Sequence, residues 1–444
     1  MKWVDGYMKW VRRVLPSPFV IAVLLTLITA ILAGALTDSG NNTIVRHVTD
    51  SWSKGIWELL AFTMQMMLML VLGHTIALSK QVGRVINLIT GLCTSNVTAA
   101  FWVTFCALIA GYFNWGLGLI FGAILANKVG LHAKEKGIEL NYPLIAACGY
   151  TALMVWHGGL SGSAPLTVNT SDHSLVQQMG VVSPDQTIFG LANIVAIVAS
   201  LVLFPLFAIW LAKRPFRKTY PANVHHKHHS KDHDAKGAEK LDDSKLIGFV
   251  FGAIFIVIAV SELLRQTSWW NYFNLNTINF ILFGIALVSH QSVRRFIQAT
   301  ETAIQGSTGI MIQFPLYAGI MGIMKYSGLL EVFADFFIQM SNHDTFPFFA
   351  FVSSAVVNVL VPSGGGQWQV QGPILIEAAQ TLNVSSAKTV MALAYGDQIT
   401  NMLQPFWALP LLGITGLKAK DILPYSLLFM IAGTILFISI LYLF

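Results

Sequence analysis

Residues 361–373, Val-Pro-Ser-Gly-Gly-Gly-Gln-Trp-Gln-Val-Gln-Gly-Pro, lie between two apolar runs and belong to neither. The run before them, Phe346 to Val361, is long enough to enter a bilayer. A proline followed by three glycines cannot continue that helix, because both residue types disfavour a helix interior. The chain therefore breaks at depth. Lipid offers non-helical N–H and C=O groups no partner, so such a break must be buried in protein or face a water-filled cavity. A break of this kind is a candidate binding site.

The remainder of the sequence supports the membrane assignment. Of 444 residues 55% are hydrophobic and only 11% charged, against about 25% charged in an ordinary soluble domain. Runs near 20 residues, such as Pro16 to Leu36, Ile56 to Ser79 and Ile188 to Ala212, each suffice to cross the hydrocarbon core. Pro16 to Leu36 lacks a following small-residue cleavage site and reads as a retained first span rather than a signal peptide. The net charge of +6 does not speak for nucleic acid, since the basic residues sit in short loops beside the spans, where they set orientation. Cys93, Cys106 and Cys148 are too widely spaced for a metal or disulfide pattern and read as small core residues.

Lys2, Lys9, Arg12 and Arg13 place the N-terminus in the cytoplasm. The first span runs outward, Thr37 to Gly55 is a polar outer segment, and Ile56 to Ser79 returns to Lys80 and Arg84, followed by an interfacial stretch up to Asn96. Residues 97–128 are apolar, interrupted by Gly111-Tyr-Phe-Asn-Trp-Gly-Leu-Gly118, and flanked by basic residues at both ends, which makes them a re-entrant hairpin. No lysine or arginine occurs from Gly137 to Ala212, so the connection through Asp172 and Asp185 is external. Lys213, Arg214, Arg217 and Lys218 close the first half, residues 1–212, in the cytoplasm. A polar linker, residues 213–245, carries His225, His226, His228 and His229 and has a composition that builds no core. Residues 246–444 supply a connecting helix, Leu246 to Leu264, and a second half. Ile278 to His290 returns inward, Thr308 to Met324 goes out, and an outer loop carrying Asp335 and Asp344 leads to Phe346. The second hairpin, 346–381, dips in from the opposite face. A broken helix, 388–411, descends to Lys418 and Lys420, and Ile422 to Phe444 rises, leaving the C-terminus outside.

The halves also resemble each other in sequence. Phe121-Gly-Ala-Ile-Leu125 lines up with Gln371-Gly-Pro-Ile-Leu375 at an offset of 250, Ala147-Cys-Gly-Tyr150 with Ala394-Tyr-Gly-Asp397 at 247, and Gln65 with Gln313 at 248. The fold expected is therefore an all-α polytopic membrane protein of two inverted-topology repeats, each with a re-entrant helical hairpin and a discontinuous transmembrane helix. Secondary transporters built this way place their site at the midplane between the repeats.

Each half has a second interruption. The broken helix at 143–165 ends in Trp156-His-Gly-Gly-Leu-Ser-Gly-Ser-Ala-Pro165. In the second, Asp397, Gln398, Asn401 and Gln404 share one helical face by their spacing of three and four. A polar stripe on a span faces the bundle or a cavity; the plainer reading is inter-helix hydrogen bonding. Half-helix N-termini suit a carboxylate, whereas unwound carbonyls suit Na⁺. Candidate substrate contacts are Asn114, Trp115, Gly116, His157, Gly158, Ser161, Ser163, Ser363, Gly364, Gly365, Gly366, Trp368, Gln398 and Gln404. Asn114, Ser363, Asp397 and Asn401 are the candidates for ion coupling. No lysine or arginine lies in the breaks, so a bound anion must be balanced by dipoles, by Na⁺ or by a proton on His157 or Asp397, which favours a small monovalent anion. Trp115, Trp156 and Trp368 flank the polar groups and could cover a short apolar tail, although tryptophan in membranes is more often an interfacial anchor. His157 has the alternative of a core histidine bonded to a carbonyl. The histidine tract has no ordered scaffold for a specific metal. Gly159-Leu-Ser-Gly162 matches a short motif of intramembrane serine proteases.

Phe113-Asn-Trp-Gly-Leu-Gly118, Gly158-Gly-Leu-Ser-Gly-Ser163, Val361-Pro-Ser-Gly-Gly-Gly366, Ala394-Tyr-Gly-Asp-Gln398 and Gln404-Pro-Phe-Trp-Ala-Leu-Pro410 together resemble the short-chain fatty acid transporters of the AtoE type. The likeness covers nearly the whole chain apart from residues 219–245. That family is grouped with the wider ion transporter superfamily, and this resemblance implies a scaffold domain, a mobile domain of hairpins and broken helices, and a homodimer. Better-known superfamily members carry Ser-Asn-Thr at each hairpin tip. Here the tips read Phe113-Asn-Trp-Gly116 and Ser363-Gly-Gly-Gly366, so side-chain sodium ligands do not transfer directly and backbone carbonyls would serve instead. The expectation is a bacterial inner-membrane carrier taking up small monocarboxylates such as butyrate or acetoacetate with Na⁺ or H⁺. It has no cofactor and no nucleic-acid partner, and its surroundings are the lipid bilayer. The alternatives are a cation/proton exchanger using Asp397 and an intramembrane hydrolase using Ser161.

Overall fold

The computed structural model describes residues 18–37, 43–58, 60–171, 173–221, 237–265, 272, 275–360 and 364–444. The basic N-terminal residues, Asp172, the histidine tract and Ser363 lie outside them. The described residues are helical, with no strand beyond an isolated bridge between Asn141 and Thr219. The first half contains α1 (Pro18–Leu36), α2 (Ile44–Gly55), α3 (Leu60–Ala77), α4 (Lys80–Leu92), the hairpin of α5 (Asn96–Phe113) and α6 (Trp115–Lys136), the interrupted pair α7 (Tyr142–Tyr150) and α8 (Ser163–Thr167), and α9 (Leu191–Ala212). After α10 (Lys245–Arg265) come α11 (Leu275–His290), α12 (Val293–Ile304), α13 (Thr308–Ser327), α14 (Leu329–Met340), the hairpin of α15 (Phe346–Leu360) and α16 (Gly364–Thr381), the interrupted pair α17 (Ser386–Thr400) and α18 (Pro405–Thr415), and α19 (Ala419–Leu443).

The same succession of elements thus occurs twice, from α1 to α9 and from α11 to α19, with α10 between. In each half two apolar helices alternate with two amphipathic ones, then come a hairpin, an interrupted helix and a long final helix. Among the described residues α5, α6, α9, α10 and α19 are long and apolar enough to cross a membrane, and α3–α4 and α11–α12 are pairs bent by 64° and 119°. This is a multi-pass membrane protein. The outward apolar side chains of α10, among them Phe249, Val257 and Leu264, are exposed and suit contact with acyl chains.

Local chemistry fixes the ends. Ser95 and Thr98 form a reciprocal capping box at the start of α5, and the Asn114 side chain caps α6 by accepting from the Leu117 N–H at 2.7 Å. At the far end of α6, Gly137 takes the left-handed conformation (φ 68°) that most side chains avoid. The hairpin's second arm therefore runs to Lys136, beyond the expected limit of residue 128. Two segments read as outer polar loops fold as helices, α2 and α14. Their apolar residues recur at helical period rather than in a continuous run; α2 is buried at Ser51 and Gly55, and α14 at its start, Leu329 and Leu330. The linker is tied down at both ends: Thr219 pairs with Leu140, Lys218 bonds Glu139, and Arg294 on α12 holds Asp243 at 2.8 Å. Those surface ion pairs add little stability; they fix where the linker begins and ends.

The core is centred on α5 to α8 and α17, and the residues of α7 and α17 are almost wholly buried. Small residues allow the backbones to approach, as is usual between membrane helices. A Cβ on Gly122 would stand 2.1 Å from the Gly149 carbonyl oxygen, and one on Gly149 would stand 2.4 Å from that of Gly122, so α6 and α7 touch backbone to backbone.

Candidate functional site

The interruptions converge on one buried place. α7 tightens into a single 3-10 turn at Thr151–Met154, and the chain then loses helical form until Ser163, presenting Trp156 and His157 on irregular backbone. α17 likewise gives way at Asn401–Leu403 before Pro405 starts α18. The tips of both hairpins close over these breaks. Trp115 opens α6 and donates its backbone N–H to the Ser161 hydroxyl at 2.9 Å. Gly364 opens α16 against His157, where a Cβ would lie 2.4 Å from the ring carbon Cε1 and 2.9 Å from Ser163 Oγ. No side chain larger than hydrogen fits there without displacing a neighbour.

His157 and Asp397 are both fully buried, and Nδ1 of His157 lies 2.5 Å from Oδ2 of Asp397. The tautomer follows from the other ring nitrogen. The backbone N–H of Ala164 donates to Nε2 at 3.1 Å, and an amide can only donate, so Nε2 is the acceptor and the ring proton sits on Nδ1, facing the carboxylate. Ser163 Oγ is 3.3 Å from the same Nε2. Trp156 stacks on the imidazole, with centroids 4.4 Å apart and planes inclined by 12°. The second carboxylate oxygen, Asp397 Oδ1, has no hydrogen-bond partner among the described residues. A buried ionised carboxylate with one free oxygen is costly unless a proton or cation joins it.

A small cavity of about 10 Å³, room for roughly one water, adjoins this pair. Trp115, Leu153, Trp156, Ser163, Phe314, Gly364, Asn401 and Trp407 line it. Trp156 is part of its wall, and the buried indole N–H of that residue has no partner among the described residues. Around it, Asn358 Nδ2 lies within 2.6 Å of the Asp397 carbonyl and 2.9 Å of both Thr400 Oγ1 and Asn401 Oδ1. Gln404 donates to the Asn358 carbonyl at 2.5 Å, and Tyr150 to the Asn401 carbonyl at 2.7 Å. Gln398 Oε1 accepts the His157 N–H at 3.2 Å.

Of the residues singled out from the sequence, Trp115, Trp156, Ser163, Gly364 and Asn401 line the cavity. His157, Asp397, Gln398 and Gln404 form the shell behind it. Asn114 caps α6, and its Nδ2 is buried without a partner among the described residues. Gly116 packs against Leu70, and the Gly158 carbonyl accepts from Asn193 at 2.7 Å. Gly365, Gly366 and Trp368 are buried on α16 and do not line the cavity. Ser363 lies outside the described residues; the residues next to Asn114 and Ser363, Trp115 and Gly364, share the cavity wall. Phe314, Asn358 and Trp407 were not anticipated. Asn358 had a signal, an amide within the otherwise apolar helix α15.

The Ser163–His157–Asp397 sequence of contacts has the connectivity of a hydrolytic triad, yet the Nε2 lone pair that would take a serine proton already accepts from Ala164. Ser161, in the protease-like motif, contacts no histidine among the described residues and instead receives the Trp115 amide.

The chain matches the model of a family described as "Short chain fatty acid transporter" over residues 4–444. It is 35% identical over 446 residues to an Escherichia coli protein named "Putative short-chain fatty acid transporter", with 97% of this chain and 96% of that protein covered. A Haemophilus influenzae protein of the same name is 36% identical over 449 residues, covering 98% and 97%. In architecture the chain is similar to the solved structure of MtrF from Neisseria gonorrhoeae, described as illuminating a class of antimetabolite efflux pumps, with a TM-score of 0.50 at 14% identity over 98% of this chain and 97% of that one.

Proposed function

The chain belongs to the short chain fatty acid transporter family and is a transporter, not an enzyme; from that premise we infer that it takes up small monocarboxylates such as butyrate or acetoacetate across the bacterial inner membrane together with a proton. The two halves cross the bilayer in opposite senses, with the N-terminus in the cytoplasm and the C-terminus outside, a reading supported by the distribution of basic residues. The solute is held where the hairpin tips meet, between Trp115, Trp156, Ser163 and Gly364, once the tips part to enlarge a space that here has room for roughly one water.

The observation that carries this reading is the buried His157–Asp397 pair with its free carboxylate oxygen. With the ring proton on Nδ1 and the carboxylate ionised, the pair bears one negative charge, and neither a lysine nor an arginine lies within the breaks. Admitting a carboxylate beside it would place two negative charges in a low-dielectric site, a costly arrangement. One proton on Asp397 Oδ1 removes the carboxylate's charge while the Nδ1–H bond to Oδ2 persists. The anion then enters a neutral site, and its carboxylate can accept from the Trp156 indole N–H while its alkyl tail lies on Trp115 and Trp407. Release of the proton on the other side restores the repulsion and expels the anion. Coupling thus follows from charge balance.

Radiolabelled butyrate uptake into proteoliposomes tests this. A proton gradient, acid outside, should drive accumulation above the equilibrium ratio, and a sodium gradient alone should not. Accumulation under sodium alone would move the coupling to Na⁺, and no uptake under any gradient would remove the reading.

A further inference from the structure

A second, larger recess of about 430 Å³ opens at the end of the bundle where α9 and α17 begin and α19 ends. Its volume lies in the range typical of small-molecule sites. Three observations give it the character of an anion site. Lys388 on its wall is half-buried and has no hydrogen bond or ion pair among the described residues, and no aspartate or glutamate lines the space. Thr187, only 1% exposed, also lines it, and its hydroxyl has no partner among the described residues. Neither α9 nor α17 has a side-chain cap on its first N–H groups, so two positive helix ends face the recess, against the single negative end of α19 at Phe444. The wall formed by α19, with Ile440 and Leu441, is apolar.

The floor leads towards the buried pair. Lys388, Met391, Tyr395 and Gln398 follow one another at spacings of three and four along α17 and share a face. The Tyr395 hydroxyl donates to Asn193 Oδ1 at 3.0 Å, and Asn193 Nδ2 donates to the Gly158 carbonyl at 2.7 Å, next to His157. We propose that this recess is the docking site where a short monocarboxylate is first captured, its carboxylate on Lys388 and Thr187 and its tail on Met391 and Ile440. The Tyr395–Asn193 hydrogen bond is the partition that opens to pass the anion on. This rests on the transport reading and adds to it a second, outer position for the same solute.

Kinetics and labelling in proteoliposomes test it. Lys388→Gln should raise the KM for butyrate about three- to tenfold, the size expected for losing one partly screened charge, with the maximal rate little changed, and Lys388→Arg should restore it. Ser385→Cys, at the rim, in a Cys106→Ser background, should react with a membrane-impermeant anionic thiosulfonate, and butyrate at concentrations that saturate uptake should slow that reaction. A folded Lys388→Gln protein with unchanged KM, or labelling that butyrate does not slow, overturns the proposal; the latter result would make the recess a lipid-filled gap. Absence of butyrate uptake by the unaltered protein would sink the transport reading and the recess with it, whereas intact uptake by a Ser385→Cys variant that butyrate fails to protect sinks the recess alone.

Discussion

Asp397 is placed so that its charge state matters more than its shape. Asp397→Asn keeps an oxygen to accept the Nδ1–H of His157 at the position now 2.5 Å away, but it can neither ionise nor take up a proton. Gradient-driven accumulation of butyrate should fall at least about tenfold, since the barrier change involved exceeds roughly 1.4 kcal/mol. Exchange of labelled for unlabelled butyrate, which needs no net proton movement, should persist. Undiminished accumulation would take Asp397 out of the coupling step. Gly364 makes the complementary prediction about space. In Gly364→Ala the new methyl would meet His157 Cε1 at 2.4 Å, so the tip must back away. Overpacking of this kind costs about 1–3 kcal/mol, and a lowered thermal midpoint with impaired uptake should result. At this scale the sequence disclosed which residues were unusual and not which of them touch. His157 and Asp397 were readable because each stands beside a helix break. Their pairing was not, because it spans 240 residues and depends on how two loops dock. Phe314 and Trp407 look like any other aromatic in an apolar run, and only packing brings them to the cavity.

Helix against helix, stability depends on glycines that let backbones meet. Gly122→Leu cannot be accommodated where even a Cβ would lie 2.1 Å from the Gly149 carbonyl. The α5–α6 hairpin should then fail to seat on α7, and little folded protein should be recovered by size-exclusion chromatography after mild detergent extraction. Gly91→Ala, on the amphipathic helix α4, meets nothing within 4 Å and should be neutral or slightly stabilising, because alanine loses less backbone freedom on folding. Equal yields from the two variants would contradict the packing argument. The hairpins and the breaks were legible as elements, since glycine, proline and polar residues in an apolar run leave few alternatives. The amphipathic helices α2 and α14 were hidden by a criterion of continuous hydrophobicity, although their period of about 3.6 was present. The end of α6 was misjudged because its last turns are polar and emerge from the apolar run before Gly137 ends the helix.

For the molecule as a whole, the repeated order of elements was visible in the sequence offsets of 247 to 250 between the halves, while the sense in which each half crosses the bilayer is inferred from charge. Cysteines placed at Ser385 and at Lys418, each in a Cys106→Ser background, should react with impermeant reagents from opposite sides of oriented vesicles. Labelling of both from the same side would contradict the inverted arrangement. The cavity between the hairpin tips, with space for roughly one water, bears on what the empty carrier does. A passage so constricted supports no continuous file of water molecules and hence no chain along which protons could hop unaccompanied. Vesicles bearing the idle protein should therefore keep an imposed acidity difference as long as protein-free ones do, and should begin to dissipate it only when cargo is supplied.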